Sequence, residues 1–354
     1  MIEIDEIRCR YPATDLLTFR FLGVALSVHT NDARVTSGLA RYFAPFRASV
    51  PARETLPIYV LQGTPIYDPL LLDDVAPRAP GRTVKEAFYD VPGGRIVVKR
   101  RSGVVVYIAE SEHYIVGDLV RNLNQAANAI SMVFAKAMQR RGYVMLHASA
   151  ALGEEGGVAF AAHSGSGKST MALALVEAGY QFVTNDRLLV RLDKGQVEMV
   201  GVPKIPRVNP GTLLRLSRLS SLLPQEARRH YEHMSPDVLW AAEEKRDVEV
   251  DRIFGPGTFQ LTGRLRIVYV LAWRPGDAGW EVHPLDFAAR CAALRQMAKQ
   301  VGVQDPHPPA RAVQETALDA IAAAVPVCEV TGQPDVGALT ASIVGPRRSH
   351  VTSS

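Results

Sequence analysis

The sequence predicts an α/β fold with a mixed sheet in its larger part, preceded by a smaller α+β unit. Strand-like runs flank helix-like stripes after residue 115, and tight hairpin signals among those runs indicate antiparallel strands. A chain of 354 residues also exceeds the length at which a single hydrophobic core usually stops growing. We therefore predict an N-terminal α+β domain over 1–115, a second domain over 116–340 and a frayed tail over 341–354.

Composition limits the class of protein. Hydrophobic residues make up 47% and charged residues 21%, which indicates a folded chain with a core. The net charge of +4 suits an anionic ligand but is spread too evenly to predict nucleic-acid binding. The three cysteines lie far apart without CxxC spacing, so neither a zinc site nor a disulfide framework is expected.

The N-terminal segment MIEIDEIRCRYP carries acids where a signal peptide needs basic residues, and no apolar run approaches 18 residues. We therefore expect a cytoplasmic protein without a membrane partner.

The elements of the first part follow from local patterns. Residues 16–62 contain two strand-like runs around a helix-like one, and residues 95–117 indicate a hairpin that turns at Ser102 and Gly103. A long helix is predicted from Asp118, since apolar residues then recur every three or four positions until Gly142. This stripe is typical of a core-facing helix.

The clearest chemical signal is the segment AHSGSGKST, residues 162–170, between a strand-like run and a helix-like one. Gly165 and Gly167 let backbone amides approach a phosphate, Lys168 supplies a charge, and the Ser169 hydroxyl suits a magnesium ion. Only Ala162 departs from the usual pattern, where a glycine is common, and a small residue there is a mild change. The motif predicts nucleoside triphosphate binding.

A single acid follows one helix and one strand later, in TNDR at residues 184–187. Across a sheet, Asp186 would reach the same strand edge as the phosphates, where it could hold the metal or accept a hydroxyl proton. A transporter-type ATPase is disfavoured, because the chain has neither a serine-glycine-glycine signature nor an Asp-Glu strand end downstream. In that class the glycine loop also comes near the start of the domain.

The segment from LHASAAL to TNDRLLV resembles the catalytic domain of the HPr kinase/phosphorylase family, more closely its relatives of unassigned substrate. The resemblance covers 144–211 by motif and extends to about residue 340 by layout. It implies a P-loop kinase of the PEP-carboxykinase-like fold that uses ATP and magnesium (Mg2+) to phosphorylate a hydroxyl. It also implies a homo-oligomer, since the parent kinases assemble as oligomers.

Site residues carried over from the resemblance are few. His147 matches the family histidine before the loop, and Asp186 matches the second of two adjacent acids. The first acid, the family's base toward the acceptor hydroxyl, is Asn185 here. Because an amide accepts no proton at neutral pH, three hypotheses stay open: Asp186 performs both roles, His147 is the base, or transfer is weak or lost.

The predicted site therefore has three groups of residues. The catalytic candidates are Asp186, His147 and Lys168, and the metal candidates are Ser169 and Asp186. The nucleotide-binding candidates are Ser164, Gly165, Ser166, Gly167, Lys168, Ser169 and Thr170. Asn185, Lys204 and Arg207 are substrate or phosphate candidates, the last two on a proline-rich loop that presets its backbone.

The sequence predicts an ATP-dependent kinase acting on a protein serine, a peptide or a small hydroxylated molecule. The alternative is a nucleotide-binding sensor or scaffold with weak or no phosphotransfer, which Asn185 favours. A carboxykinase-like enzyme ranks low, because the further metal-binding lysine and histidine positions cannot be located.

Overall fold

The computed structural model describes residues 4–48, 55–77, 83–163, 165–242, 244–274 and 276–345. These residues form an α/β fold with mixed sheets. They divide into two compact units, Met1–Arg141 with Gln300–Pro309 and Gly142–Lys299 with Ala310–Ser354. The division thus falls after Arg141, whereas the sequence places a boundary after residue 115, and the short stretch 300–309 returns to the first unit.

The first unit is built on one sheet. Its helices are α1 (Ile4–Arg10), α2 (Ala33–Tyr42) and α3 (Leu123–Gln139). Its strands are β1 (Asp15–Phe21), β2 (Val24–Thr30), β3 (Leu56–Gln62), β4 (Asp73–Asp74), β5 (Glu86–Val91), β6 (Gly94–Lys99), β7 (Val105–Ala109) and β8 (His113–Gly117). The strand order is β1-β2-β3-β8-β7-β6-β5-β4, and β3 pairs in parallel with β2 and with β8.

Alternate residues along the strands are buried and form the core of this unit. Leu17, Phe19 and Phe21 of β1 are buried, and the Phe21 ring meets Phe134 of α3 in an edge-on contact at 5.5 Å. The hairpin predicted at Ser102 and Gly103 is confirmed, since β6 and β7 pair antiparallel across that turn.

The predicted start of the long helix at Asp118 is wrong. The helix begins at Leu123, because residues 118–122 form a separate turn in which the Asn122 N–H donates to the Asp118 carbonyl. The Gln62 side chain accepts from the Leu119 and Val120 N–H groups, so these donors are satisfied without helix.

The second unit contains the remaining elements. Its strands are β9 (Val144–Leu146), β10 (Ala148–Gly153), β11 (Gly156–Ala161), β12 (Gln181–Thr184), β13 (Leu188–Asp193), β14 (Gln196–Gly201), β15 (Arg207–Val208), β16 (Arg246–Asp247), β17 (Thr262–Leu271), β18 (Trp280–Pro284), β19 (Ala298–Lys299) and β20 (Val327–Gly332). Its helices are α4 (Lys168–Glu177), α5 (Pro210–Arg215), α6 (Ser217–Ser220), α7 (Gln225–Glu232), α8 (Pro236–Ala241), α9 (Val250–Phe254), α10 (Phe287–Met297), α11 (Arg311–Ala324) and α12 (Val336–Val344).

The sheet of the second unit branches at its longest strand. β17 pairs in parallel with β11 along most of its length and with β20 through its last four residues. Its first three residues pair with β14, which continues through β13 and β9 to β19. The parallel strands β11 and β17 therefore end at the same edge of the sheet.

Several sequence predictions meet the structure in this unit. The hairpin expected at 193–195 is confirmed, with β13 and β14 joined through Lys194 and Gly195, both at positive φ. Helix α12 includes residues 341–344 of the predicted tail, and residues 346–354 lie outside the described residues. Among the described helices, none has the length and apolar character that a membrane crossing requires.

A half-buried histidine is expected to make the first unit sensitive to acid. His113 of β8 lines a small cavity with Lys136 of α3, and Lys136 forms an ion pair with Asp305 at 3.4 Å. Burial, with smaller contributions from Lys136 and Arg140, lowers the pKa of His113 to about 3. The folded state therefore excludes a proton that the unfolded state binds below its ordinary pKa.

We expect the free energy of unfolding to fall as the pH drops through the ordinary histidine pKa, because protonation favours the unfolded chain. His113→Gln, neutral at every pH, should remove up to about 2 kcal/mol of that loss between pH 7.5 and pH 5. Denaturant unfolding at the two pH values measures it. The exposed His230→Gln is the control, and an identical pH dependence in wild type and His113→Gln would contradict the expectation.

Candidate functional site

The glycine segment forms a loop between β11 and α4. Gly165 and Gly167 have φ values of 90° and 83°, in the left-handed region where a side chain is strained. Ala162 is buried and its φ is not positive, so the backbone there does not require glycine. Ser164 lies outside the described residues. The loop therefore uses its glycines where the backbone needs them and delivers the chain directly into a helix N-terminus.

Lys168, the first residue of α4, folds back over this loop. Its ammonium donates to the carbonyl oxygens of Ala162 at 2.9 Å and His163 at 2.8 Å, and the residue is only 6% exposed. Burial lowers the pKa of Lys168 to about 8, with help from Lys299, while Asp186 opposes the shift. A cation is thus held inside the loop by carbonyl groups, with no ion pair to Lys168 among the described residues.

Trp273 supports the loop from the neighbouring strand. It follows β17, which is parallel to β11, and its indole Nε1 donates to the Ser166 carbonyl at 3.1 Å. A Cβ at Gly167 would stand 3.4 Å from the Trp273 ring, so the loop packs closely on the indole. Sequence reasoning missed this residue, although its place at the end of the strand LRIVYVLAW gave a usable signal.

Strand register brings the other polar groups together. Leu146 of β9 pairs with Leu188 on one side and with Ala298 on the other. His147 directly follows Leu146, Asp186 lies two residues before Leu188, and Lys299 directly follows Ala298. Three side chains from distant parts of the sequence thus converge beside one short strand.

Asp186 is the centre of this cluster. Its carboxylate accepts from His147 Nε2 at 3.1 Å and from Lys299 Nζ at 3.0 and 3.1 Å, and Arg187 Nε lies 3.7 Å away. Burial alone would raise the pKa of Asp186, but the His147 hydrogen bond and the charges of Lys299 and Arg187 together hold it well below its usual range. The carboxylate is therefore ionised and a weak base.

His147 differs from Asp186 because its charged form is disfavoured. The hydrogen bond to Asp186 favours its charged form, but burial and the charges of Lys299 and Lys168 outweigh it, so the pKa of His147 is lowered. The imidazole is consequently neutral at neutral pH. With Nε2 donating to Asp186, the lone pair is on Nδ1 and is able to accept a proton.

The start of α4 is tied to this cluster. The Ser169 hydroxyl donates to the Asn185 carbonyl at 3.3 Å, and the Thr170 hydroxyl hydrogen-bonds to that of Thr212 at 2.8 Å. Thr170 is buried, so its side chain serves helix packing.

The two cations of the proline-rich loop differ in their surroundings. Arg207 forms an ion pair with Asp247 at 2.8 Å and donates to the Lys245 carbonyl. For Lys204, burial and the charge of Arg187 lower the pKa to about 8. The structure therefore brings Lys204 into the electrostatic surroundings of Asp186 and gives Arg207 a partner of its own.

The donor set fits a magnesium ion that arrives with phosphates. Mg2+ takes oxygen ligands and commonly keeps only one or two from protein, the others coming from phosphate and water. The Ser169 hydroxyl and the Asp186 carboxylate are oxygens of that kind. Among the described residues, no group of three His, Cys, Asp or Glu side chains lies close enough to hold a metal ion.

Comparisons with known proteins add little to this geometry. No protein-family model matches the sequence, and no curated protein matches it either. The solved structures that match include the Hpr(Ser) kinase/phosphatase from Coxiella burnetii, with 13% identity and a TM-score of 0.28 over 56% of this chain and 90% of that chain. A TM-score this low assigns neither fold nor function, so the resemblance stays a prediction.

We expect two substitutions in this cluster to shift the pKa of His147 in opposite directions. Lys299→Met should raise the pKa of His147, because it removes a positive charge that disfavours the imidazolium. Asp186→Asn should lower that pKa further, because it removes the carboxylate that favours the imidazolium. NMR titration of the imidazole ring protons measures both, with the His147 signals assigned from the spectrum of His147→Gln.

Lys194→Met is the control for this titration, since it removes a positive charge from an exposed hairpin turn. It should leave the His147 pKa where it is. Shifts of the same sign in Lys299→Met and Asp186→Asn would contradict the arrangement described.

Proposed function

We propose that this protein is a phosphotransferase that binds ATP with Mg2+ at residues 162–170 and transfers the γ-phosphoryl group to a hydroxyl acceptor. The acceptor would be a protein serine, a peptide or a small molecule. The observation that carries the proposal is the Ser169 hydrogen bond to the Asn185 carbonyl, because it joins the phosphate loop to the His147–Asp186 pair.

Triphosphate binding is supported by the shape and charge of the loop. The first turn of α4 leaves N–H groups without intrahelical acceptors, and the helix dipole favours an anion there. Among the described residues, the hydrogen-bond acceptors of Lys168 are neutral carbonyls, so it could exchange them for phosphate oxygens, which are stronger, charge-assisted partners. Ser169 and Asp186 would hold a magnesium ion, whose charge would help to neutralise the phosphates.

Transfer requires a place for the acceptor proton. In the proposed step the acceptor oxygen bonds to the γ-phosphorus as the bond to the β,γ-bridging oxygen breaks, and ADP leaves. The acceptor proton passes to Nδ1 of His147. A neutral imidazole is a better base than Asp186, whose pKa is held far down by the His147 hydrogen bond and by Lys299, while the carboxylate orients the ring and would stabilise the imidazolium that forms.

A nucleotide sensor without transfer is the second candidate. It is favoured by Asn185, which stands where the resembled kinases have a carboxylate, and by the pairing of Asp186 with Lys299. Asn185→Asp separates the two functions. A gain of phosphate transfer in this variant would favour the sensor, and an unchanged rate would favour a kinase that uses His147.

Lys168→Ala should weaken the binding of Mg·AMP-PNP by about tenfold or more, because a charge-assisted bond to the outer phosphates is lost. Affinity for wild type should also fall as the pH rises above about 8, where the lysine begins to lose its proton. Isothermal titration calorimetry measures both effects. Lys168→Arg, which stays charged, should show a flatter pH dependence.

The control is Lys194→Ala on the exposed hairpin, which should bind AMP-PNP like wild type. Equal affinities in Lys168→Ala and wild type would exclude residues 162–170 as the triphosphate site.

His147→Gln should lower the rate of phosphate transfer by about a hundredfold or more while leaving AMP-PNP affinity unchanged, because a general base acts only in the chemical step. Transfer is measured from labelled ATP in an extract of cells that produce the protein naturally, with Lys168→Ala as background. A His147→Gln rate equal to wild type would assign the proton to another group. No Lys168-dependent product under any condition would count against a kinase.

A further inference from the structure

Lys204 is carried on a loop that is fixed at both ends. The loop leaves β14, where the Val202 N–H donates to the Arg187 carbonyl at 3.4 Å. At its other end the Pro206 carbonyl accepts from the Val248 N–H at 2.9 Å. Two prolines, Pro203 and Pro206, further restrict the backbone between these anchors. A lysine in this setting is positioned by the fold and is not a freely moving surface charge.

The charge of Lys204 is poorly compensated. Among the described residues no carboxylate forms an ion pair with it, and the neighbouring charges that act on it are mostly positive: Arg187, Arg207 and Lys299, with Asp186 as the opposing charge. Burial is the largest cause of its lowered pKa, near 8, and Arg187 the second. Keeping an ammonium in such surroundings is costly unless an anion joins it.

The positive charge of Arg187 is also only partly compensated. Its Nε is buried and makes no hydrogen bond among the described residues, and its distance of 3.7 Å to Asp186 is beyond hydrogen-bond range. Arg207 provides the contrast, because Asp247 neutralises it within the two-stranded sheet of β15 and β16. Among the described residues, Arg187 thus has a more distant carboxylate partner than Arg207, and Lys204 has none within ion-pair distance.

The balance of charge at the site points to a second anion. Four cations among the described residues, Lys168, Arg187, Lys204 and Lys299, interact electrostatically with the Asp186 carboxylate. The loop and Lys168 serve the nucleotide, and a magnesium ion would bring further positive charge with it. Arg187 directly follows Asp186 in the chain, and the Lys204 loop is hydrogen-bonded to the Arg187 backbone, so both cations are joined to the segment whose carboxylate accepts from His147.

We propose that the acceptor carries an oxyanion, a phosphate or a carboxylate, close to its reacting hydroxyl, and that Lys204 and Arg187 bind this group. The inference rests on the proposed phosphotransferase function and specifies the acceptor class. A guanidinium offers paired donors to an oxyanion and an ammonium adds a point charge, so together they orient the acceptor by its anionic end. Neutral alcohols lack an anionic group for these two residues to bind.

Calorimetry on the full chain tests the proposal in two steps. AMP-PNP with magnesium is bound first, and the loaded protein is then titrated with glycerol 3-phosphate, glycerate and glycerol, which share hydroxyl groups and differ in charge. We expect binding of one or both anions and none of glycerol. The phosphate and carboxylate arms identify which oxyanion fits.

Lys204→Met should weaken anion binding by about tenfold or more and leave the AMP-PNP affinity within about twofold. Lys204→Arg, which keeps the charge, should retain anion binding, and this separates a lost contact from misfolding. Lys194→Met removes an equivalent charge from the exposed hairpin and should behave like wild type.

Three results would overturn the proposal. The first is that the loaded wild type binds neither anion. The second is that Lys204→Met binds the anions as tightly as wild type does. The third is that Lys204→Met weakens AMP-PNP itself while the anions compete with it, which would assign Lys204 to the nucleotide. Failure of AMP-PNP to bind wild type in the first step would instead contradict the proposed function, and this proposal with it.

Discussion

The Asp186 carboxylate is the interaction on which the rest of the site depends. A half-buried carboxylate stays ionised only if donors or positive charges face it, and here His147 and Lys299 donate to it while the Arg187 guanidinium lies 3.7 Å away. The same carboxylate offsets the positive charges that gather around Lys168. Without it, the positive charges of Lys299 and Arg187 would repel one another, and Lys168 would lose the negative charge that offsets its own.

This arrangement gives Asp186 and His147 different proton affinities, whereas the sequence alone left either of them open as the base. Asp186 is so well supplied with donors that its proton affinity is small, whereas His147 is kept neutral by burial and by the lysines around it. A carboxylate that orients a neutral histidine is a familiar way to prepare a base. In the proposed mechanism, a carboxylate at position 185 would not be required for proton removal, because the strand register brings His147 beside Asp186.

Local signals predicted much of the fold, and non-local pairing explains what they missed. The strand, loop and helix around Gly165 and Gly167 and the hairpin at Lys194 follow from short patterns whose residues are adjacent in the chain. Lys299 could not be found this way, because it is 113 residues from Asp186 and reaches it only through pairing of β19 with β9. The start of α3 was misplaced for a similar reason, since Gln62, far away in sequence, satisfies the amides that a helix would otherwise use.

A crystal structure with Mg·AMP-PNP would locate the terminal phosphate relative to His147 and Asp186 and so decide between them as the base. We expect phosphate oxygens within hydrogen-bond distance of Lys168 Nζ and the loop amides, and room for an acceptor hydroxyl between the γ-phosphorus and His147 Nδ1. Phosphates bound away from residues 165–169, or a γ-phosphorus that His147 could not approach through an acceptor, would contradict this expectation.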